Sequence, residues 1–179
     1  QALLENTQTG SQQGTPTSSA GESPLTGLIY RLLEDGIGTQ KWPSLTAAPT
    51  FFAATPGVGG SGIMTFVNAG IYWSRFTAVV TNMVARAVAA TKTFSIPAVG
   101  ILVGETDADT DTTSRSTFKS RMDTLYSDMN TYIKAQTGQS SDVIAVATQI
   151  NYGSKKPNNP GAIALGCYDW HDGQNKIVA

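Results

Sequence analysis

The sequence predicts an α/β domain in which helices cover both faces of a parallel β-sheet. Short apolar runs of the kind that form buried strands alternate with longer segments whose apolar residues recur every three or four positions. Strands buried on both faces are typical of parallel sheets, because crossover helices pack on each side. With 179 residues, 40% of them apolar, the chain has the length and apolar content for one hydrophobic core.

Composition and charge narrow the range of functions. Charged residues make up 14% of the chain, below the roughly 25% of an average domain, so we expect a largely neutral surface or one covered by partner chains. A net charge of −1 gives no electrostatic footprint for nucleic acid. The single cysteine, Cys167, excludes an intrachain disulfide, and no apolar run reaches the roughly 18 residues of a membrane span. We expect no metal and no cofactor.

The chain divides into a polar arm or loop, residues 1–21, and a domain, residues 22–179. The arm is rich in Gly, Ser and Thr and has no apolar period. The domain opens with a predicted helix, for which Ser23 suits the N-cap, Pro24 the first helical position and Gly36 the end. Its apolar stripe consists of Leu25, Leu28, Ile29, Leu32 and Leu33.

Strands and helices then alternate to the last residue. The predicted strands cover residues 50–55, 97–103 and 142–150, and a further strand begins at 176. The predicted helices cover residues 71–91, 113–137 and 160–168. The longest of them carries Phe118, Met122, Leu125, Met129 and Tyr132 on one face. A parallel sheet should not begin with a helix and end just inside a strand, so we expect the domain to be incomplete at both ends.

A glycine-rich segment, Gly57–Gly62, follows the first predicted strand and contains the pattern G-x-G-x-x-G. A dinucleotide site needs an acidic residue about 20 positions further on, but no Asp or Glu lies between Asp35 and Glu105. The next helix also begins too late, near Ile71, to face a pyrophosphate. Two interpretations stay open: a tight turn that requires positive φ, and an oxyanion loop that presents a Gly N–H at the sheet edge.

Acidic residues alternate after the strand at 97–103. They are Glu105, Asp107, Asp109 and Asp111. An EF-hand is excluded, because Thr112 replaces its glycine and Phe118 stands where its bidentate Glu belongs. A solvated acidic loop and an irregular cation site stay open, with Glu105 and Asp107 nearest to the sheet edge.

The only histidine, His171, lies between two carboxylates, Asp169 and Asp172. Such a histidine can act as a general base, because neighbouring carboxylates raise its pKa. The pair Asp172-Gly173 is a turn dipeptide, however, and we favour a surface turn before the last strand.

The order of these segments resembles the SGNH hydrolase superfamily, in particular its sialate and carbohydrate O-acetylesterase branch. The resemblance covers residues 20–179 and is carried by several short motifs in the family's order. They are Glu22-Ser23-Pro24, Pro56-Gly57-Val58-Gly59-Gly60-Ser61, Gly104-Glu105-Thr106-Asp107, Thr113-Ser114-Arg115 and Asn175-Lys176-Ile177-Val178-Ala179.

The resemblance implies a flavodoxin-like, three-layer α/β/α sandwich in which a Ser attacks an ester carbonyl and a His serves as base. It matches Gly60 to the glycine of the family's second sequence block, which contributes to the oxyanion hole. It matches Glu105 and Asp107 to the acidic residues of the family's third sequence block. The neighbouring Gly59 and Ser61 are assigned to substrate binding. The implied partner is a carbohydrate or another acetyl ester.

The chain departs from the family at three points. No G-Q-S or G-D-S loop precedes the first helix, no D-x-x-H occurs, and Val103 stands where the family has an oxyanion-binding Gln. One hypothesis is an O-acetylesterase whose Ser and His lie outside this segment. The alternative is an inactive structural or glycan-binding module on the same fold, within a large assembly such as a phage virion, which would place it in a virion or outside the cell.

Overall fold

The computed structural model describes residues 31, 34, 35, 38, 39, 54–110, 113–148 and 160–178, and the chain divides into two units, Gln1–Gly59 and Gly60–Ala179. The predicted arm at 1–21 and most of the strand predicted at 50–55 lie outside the described residues. Ala54 and Thr55, the described part of that predicted strand, are not in a strand.

The first unit contains helical residues where the first helix was predicted. Arg31 forms an ion pair with Asp35 at 3.2 Å, at the i, i+4 spacing of a helix surface. Gly38 is also helical, two residues beyond the glycine at which we expected the helix to end. At Thr39 the backbone N–H and the side-chain hydroxyl both donate to the carbonyl of Asp35, at 2.9 and 2.6 Å.

The second unit alternates helices and strands. A 3-10 turn, Ile63–Thr65, is followed by helix α1 (Trp73–Ala89), strand β1 (Ala98–Ile101), helix α2 (Glu105–Thr110), helix α3 (Arg115–Thr137), strand β2 (Ile144–Ala147), helix α4 (Pro160–Trp170) and strand β3 (Lys176–Val178). The predictions of α1, α3 and α4 and of the three strands are therefore confirmed, with β1 and β2 shorter than predicted. Helix α2 was not predicted.

The three strands form one parallel sheet in the order β1-β2-β3. Val99 of β1 lies beside Ala145 of β2, which lies beside Lys176 of β3. The prediction of an α/β fold with a parallel sheet is confirmed at this level.

The two faces of the sheet differ in burial. Ile101, Ala145 and Ala147 lie on one face and are at most 4% exposed. Ile144 and Ile177 alternate onto the opposite face and are 39% and 38% exposed. Within the described residues, the main core therefore lies on the first face, where α3 and α4 supply its largest side chains.

Helix α3 is the central element of the core. Ser114 caps its start by accepting the N–H of Thr117 at 3.2 Å, and Gly138 ends it with a φ of +72°, the left-handed conformation that favours glycine. Its buried residues are Phe118, Met122, Leu125, Met129 and Ile133. The predicted stripe is thus confirmed except at its end, where Ile133 takes the buried position and Tyr132 is only half-buried.

Helix α4 lies directly against α3 through a glycine. A Cβ atom at Gly166 would lie 2.6 Å from the carbonyl oxygen of Arg115 and 3.2 Å from Cβ of Phe118. Only glycine allows this approach, which places the beginning of α3 against the middle of α4. Ile163, Cys167 and Trp170 of α4 are buried in the same core.

Candidate functional site

The described part of the acidic segment after β1, Glu105–Thr110, is a helix rather than the loop that we expected, and Asp111 lies outside the described residues. Gly104 turns the chain with a φ of +127°, and its carbonyl accepts the N–H of Ala108 at 2.8 Å. Ala108 is fully buried and anchors the segment in the core, while acidic residues in the first turn complement the helix N-terminus. A segment with this buried anchor folds as helix α2, although its alternating acids look like a loop.

Asp107 is the buried carboxylate of this region, with a residue exposure of 4%. Its Oδ2 accepts the backbone N–H of Ile63 at 2.9 Å. A Cβ atom at Gly62 would lie 3.4 Å from Oδ1 of Asp107, so the carboxylate also lies close against the backbone of the glycine segment. The structure therefore brings together the end of the glycine segment, at Gly62, and the acidic segment that follows β1, at Asp107.

Arg121 of α3 completes this contact. Its Nη1 lies 3.5 Å from Oδ1 of Asp107 and donates to the hydroxyl of Thr113 at 2.9 Å. Thr113 is itself buried. We call Asp107, Ile63, Arg121 and Thr113 the Asp107 joint. It links α2, the 3-10 turn and the start of α3 at the carboxyl end of β1, the side of a parallel sheet on which ligands bind.

The joint includes residues that the sequence analysis did not single out. Arg121 precedes the buried Met122 on a helix whose inner face is otherwise apolar, and a basic residue at such a position is a weak sign of a buried acidic partner. Nothing in the sequence indicates that Asp107 contacts Ile63, which is 44 positions away.

The other predicted site residues are more exposed. Glu105, at the start of α2, and Gly60 are exposed, whereas Ser61 is half-buried. Gly60 has a φ of +71°, as the tight-turn interpretation requires, and the oxyanion interpretation stays open. Gly59 belongs to the first unit and is exposed. Of Glu105 and Asp107, the structure thus places Asp107 against Gly62, the last residue of the glycine segment.

Val103 is half-buried and packs against the main core cluster. Its isopropyl group offers no hydrogen-bond donor, so the position at which the SGNH resemblance expects a Gln is used here for packing.

Both carboxylates beside His171 have partners of their own. Arg115 donates two hydrogen bonds to Asp169, one of them at 2.6 Å, and this pairing lowers the pKa of Asp169. The carboxylate of Asp172 accepts the backbone N–H groups that follow it, those of Gln174, Asn175 and Lys176 at 2.9–3.0 Å. Burial alone would raise the pKa of Asp172, but these bonds outweigh it and the pKa is lowered. His171 itself is exposed after α4, as a surface turn requires.

A Gly-Gln-Ser triplet at 138–140 has the same letters as the G-Q-S nucleophile motif of the SGNH superfamily, which the sequence resembles. In the structure the triplet ends α3 and contacts the segment that precedes β1. Gln139 accepts the N–H of Ile96 at 2.9 Å and donates to its carbonyl at 3.1 Å. The triplet precedes β2 and follows a helix, so Ser140 does not occupy the place of a nucleophile that follows a strand.

No protein family, no curated protein and no solved structure matches the chain. Among the described residues, no group of three or more His, Cys, Asp or Glu side chains lies close enough together to hold a metal ion. The helices of the described part are all too short or too polar to cross a bilayer.

Proposed function

We propose that this chain is part of an SGNH-type serine esterase domain, a three-layer α/β/α sandwich, that removes acetyl groups from carbohydrate. The observation that supports this best is the Asp107 joint. It holds Gly62, the end of the glycine segment, and Ile63 against α2 at the carboxyl end of a parallel strand, the edge of such a sheet on which ligands bind.

In the proposed mechanism, residues 1–179 supply the oxyanion-binding group, and residues outside them supply the nucleophile and the base. A serine and a histidine outside residues 1–179 form the nucleophile and base: the serine Oγ attacks the acetyl carbonyl, and the histidine takes its proton and returns it to the departing sugar hydroxyl. Water then hydrolyses the acyl-enzyme. The N–H of Gly60 binds the oxyanion and Ser61 contacts the sugar. Asp107 is a positioning residue, because it acts through the backbone of the segment that carries Gly60.

Val103 favours a second candidate function, an inactive glycan-binding or structural module of a large assembly. A valine cannot supply the hydrogen bond that a glutamine gives to the oxyanion, and the loss of one such donor typically lowers kcat by roughly 10²–10³-fold. The two candidates therefore differ in one measurable quantity, the serine-dependent turnover of an acetyl ester.

The test uses the full-length gene product and p-nitrophenyl acetate. We expect slow hydrolysis that disappears when the nucleophilic serine is replaced by alanine. Val103→Gln should increase kcat by at least about tenfold if a donor is missing from the oxyanion hole. Leu102→Gln is the matched control, because Leu102 is 65% exposed and its substitution should leave kcat unchanged.

Two results would decide against the esterase. One is hydrolysis that persists in the serine variant. The other is the absence of turnover in both the natural protein and Val103→Gln, which would leave the inactive module as the better proposal.

A further inference from the structure

Helix α3 carries a surface hollow next to the Asp107 joint. Its described lining consists of Ser116, Thr117, Ser120, Arg121 and Thr124 from α3 and Met64 from the 3-10 turn. The hollow has a volume of about 450 Å³ and is largely open to solvent, so it can hold a sugar unit against the helix surface without enclosing it.

The lining combines hydroxyl groups with one apolar side chain. Each of its four Ser and Thr hydroxyls has one donor and two acceptor positions, so a hydroxyl that already has a partner, such as that of Thr117 beside Ser114, keeps capacity for a ligand. Met64 is 45% exposed and presents a flexible apolar surface. A sugar ring has the matching groups, with hydroxyls at its edge and C–H groups on its faces.

The charge of the lining indicates which sugars fit. Among the described residues that line the hollow, Arg121 alone is charged, and its guanidinium already faces the carboxylate of Asp107 at 3.5 Å. The pair is close to neutral, so an acidic ligand would find no net positive charge here and would meet the Asp107 carboxylate behind the guanidinium.

We propose that this hollow is a subsite for a neutral sugar unit of a glycan chain. The inference rests on the proposed carbohydrate function and adds to it both the place where the glycan extends, along the first half of α3, and the absence of charge on the sugar bound there. The hydroxyl of Ser120 exchanges hydrogen bonds with the sugar. The hydroxyl of Thr124 donates to the backbone carbonyl of Ser120 at 3.0 Å, so it accepts a hydrogen bond from the sugar, and Met64 contacts the sugar ring.

Binding of short glycans to the full chain tests this subsite. The probes are xylohexaose and cellohexaose, which are neutral, and a galacturonic acid hexamer as the acidic counterpart, each titrated into the millimolar range and followed by NMR or calorimetry. We expect a neutral hexamer to bind, and the double variant Ser120→Ala, Thr124→Val to bind it at least about fivefold more weakly, because two hydrogen bonds are lost.

The control is Thr131→Val, an exposed change of the same kind further along α3, which should leave the affinity unchanged. The variants lie on the helix surface, and circular dichroism should show that α3 is retained. Three results would overturn the subsite: no binding of either neutral hexamer, equal binding by the double variant, or tighter binding of the acidic hexamer. Binding of a glycan does not require ester hydrolysis. Failure of the binding assay would therefore contradict the subsite, whereas failure of the esterase assay would contradict the proposed enzyme activity.

Discussion

Two of the aspartates that join neighbouring elements of the second unit, Asp107 and Asp123, do so in opposite environments. Asp107 links α2 to the 3-10 turn and to α3, and its side chain is 4% exposed. Asp123 links α3 to β3 by accepting a hydrogen bond from Lys176 at 2.7 Å. It also accepts one at 2.7 Å from Lys119 of its own helix, and its side chain is 36% exposed. By distance alone, the Asp123 contacts are the better ion pairs.

The comparison teaches that burial rather than distance should decide which aspartate holds the fold together. Water can replace the partners of Asp123, so its ion pairs gain little over the solvated groups. The N–H of Ile63 is buried with its acceptor, and losing that acceptor leaves a backbone donor that water reaches poorly. The shorter, exposed pairs should therefore matter less than the longer, buried ones.

The largest expected effect is that of Asp107→Ala. The variant removes the acceptor of the Ile63 N–H and the carboxylate that faces Arg121, and we expect it to lower the free energy of unfolding by about 3 kcal/mol. Urea denaturation of the full chain measures this change.

Asp107→Asn separates the two contributions of this side chain. The amide keeps one oxygen for the Ile63 N–H, but its NH2 group replaces the oxygen that faces Arg121, so the ion pair is lost and the backbone hydrogen bond is kept, at an expected loss of about 1 kcal/mol. Two results would contradict this prediction: a free energy of unfolding of Asp107→Ala equal to that of the natural protein, or equal losses for Asp107→Ala and Asp107→Asn. Either would show that the hydrogen bond to the Ile63 N–H does not stabilise the Asp107 joint.

The next largest effect is expected for Gly166→Ala, which tests how much close packing in the buried core stabilises the fold where no charged group is involved. The new methyl group would lie 2.6 Å from the carbonyl oxygen of Arg115, so α3 and α4 must move apart, at an expected cost of about 2 kcal/mol. Gly161→Ala in the same helix is the matched control, since no atom lies within 4 Å of its Cβ position. That control should be neutral or stabilising by up to about 1 kcal/mol, because alanine has the higher helix propensity. A stable Gly166→Ala would show that the two helices are not closely packed.

The sequence predicts the local elements of this unit well because their signals are local. The apolar period of α3, its cap at Ser114 and its glycine at 138 all lie within the helix or next to it. Helix α2 was missed because its decisive residue is Ala108, whose complete burial depends on contacts from distant parts of the chain.

The candidate site is less predictable from the sequence for the same reason. Asp107 was selected together with Glu105, and only the fold shows that one is buried against Ile63 while the other is exposed. The family resemblance pointed to the segment that contains Asp107. That Arg121 is the ion-pair partner of Asp107 is shown only by the structure, because the two residues lie on different helices, α2 and α3.

The smallest expected effect is that of Asp123→Asn, at most about 1 kcal/mol at neutral pH, because the ion pairs are partly exposed. Burial alone would raise the pKa of Asp123, but the hydrogen bonds and charges of Lys119 and Lys176 outweigh it, so the folded-state pKa lies below the ordinary value of 3.8. A lowered folded-state pKa contributes stability that is present above 3.8 and is lost as the pH falls through the folded-state value.

The unfolding free energies of Asp123→Asn and the natural protein should therefore differ at pH 7 and converge in acid. Ser127→Ala, an exposed and uncharged change on the same helix, should give a difference that does not vary with pH. A loss as large as that of Asp107→Ala would contradict the comparison, because an exposed ion pair would then stabilise the fold as much as a buried one does.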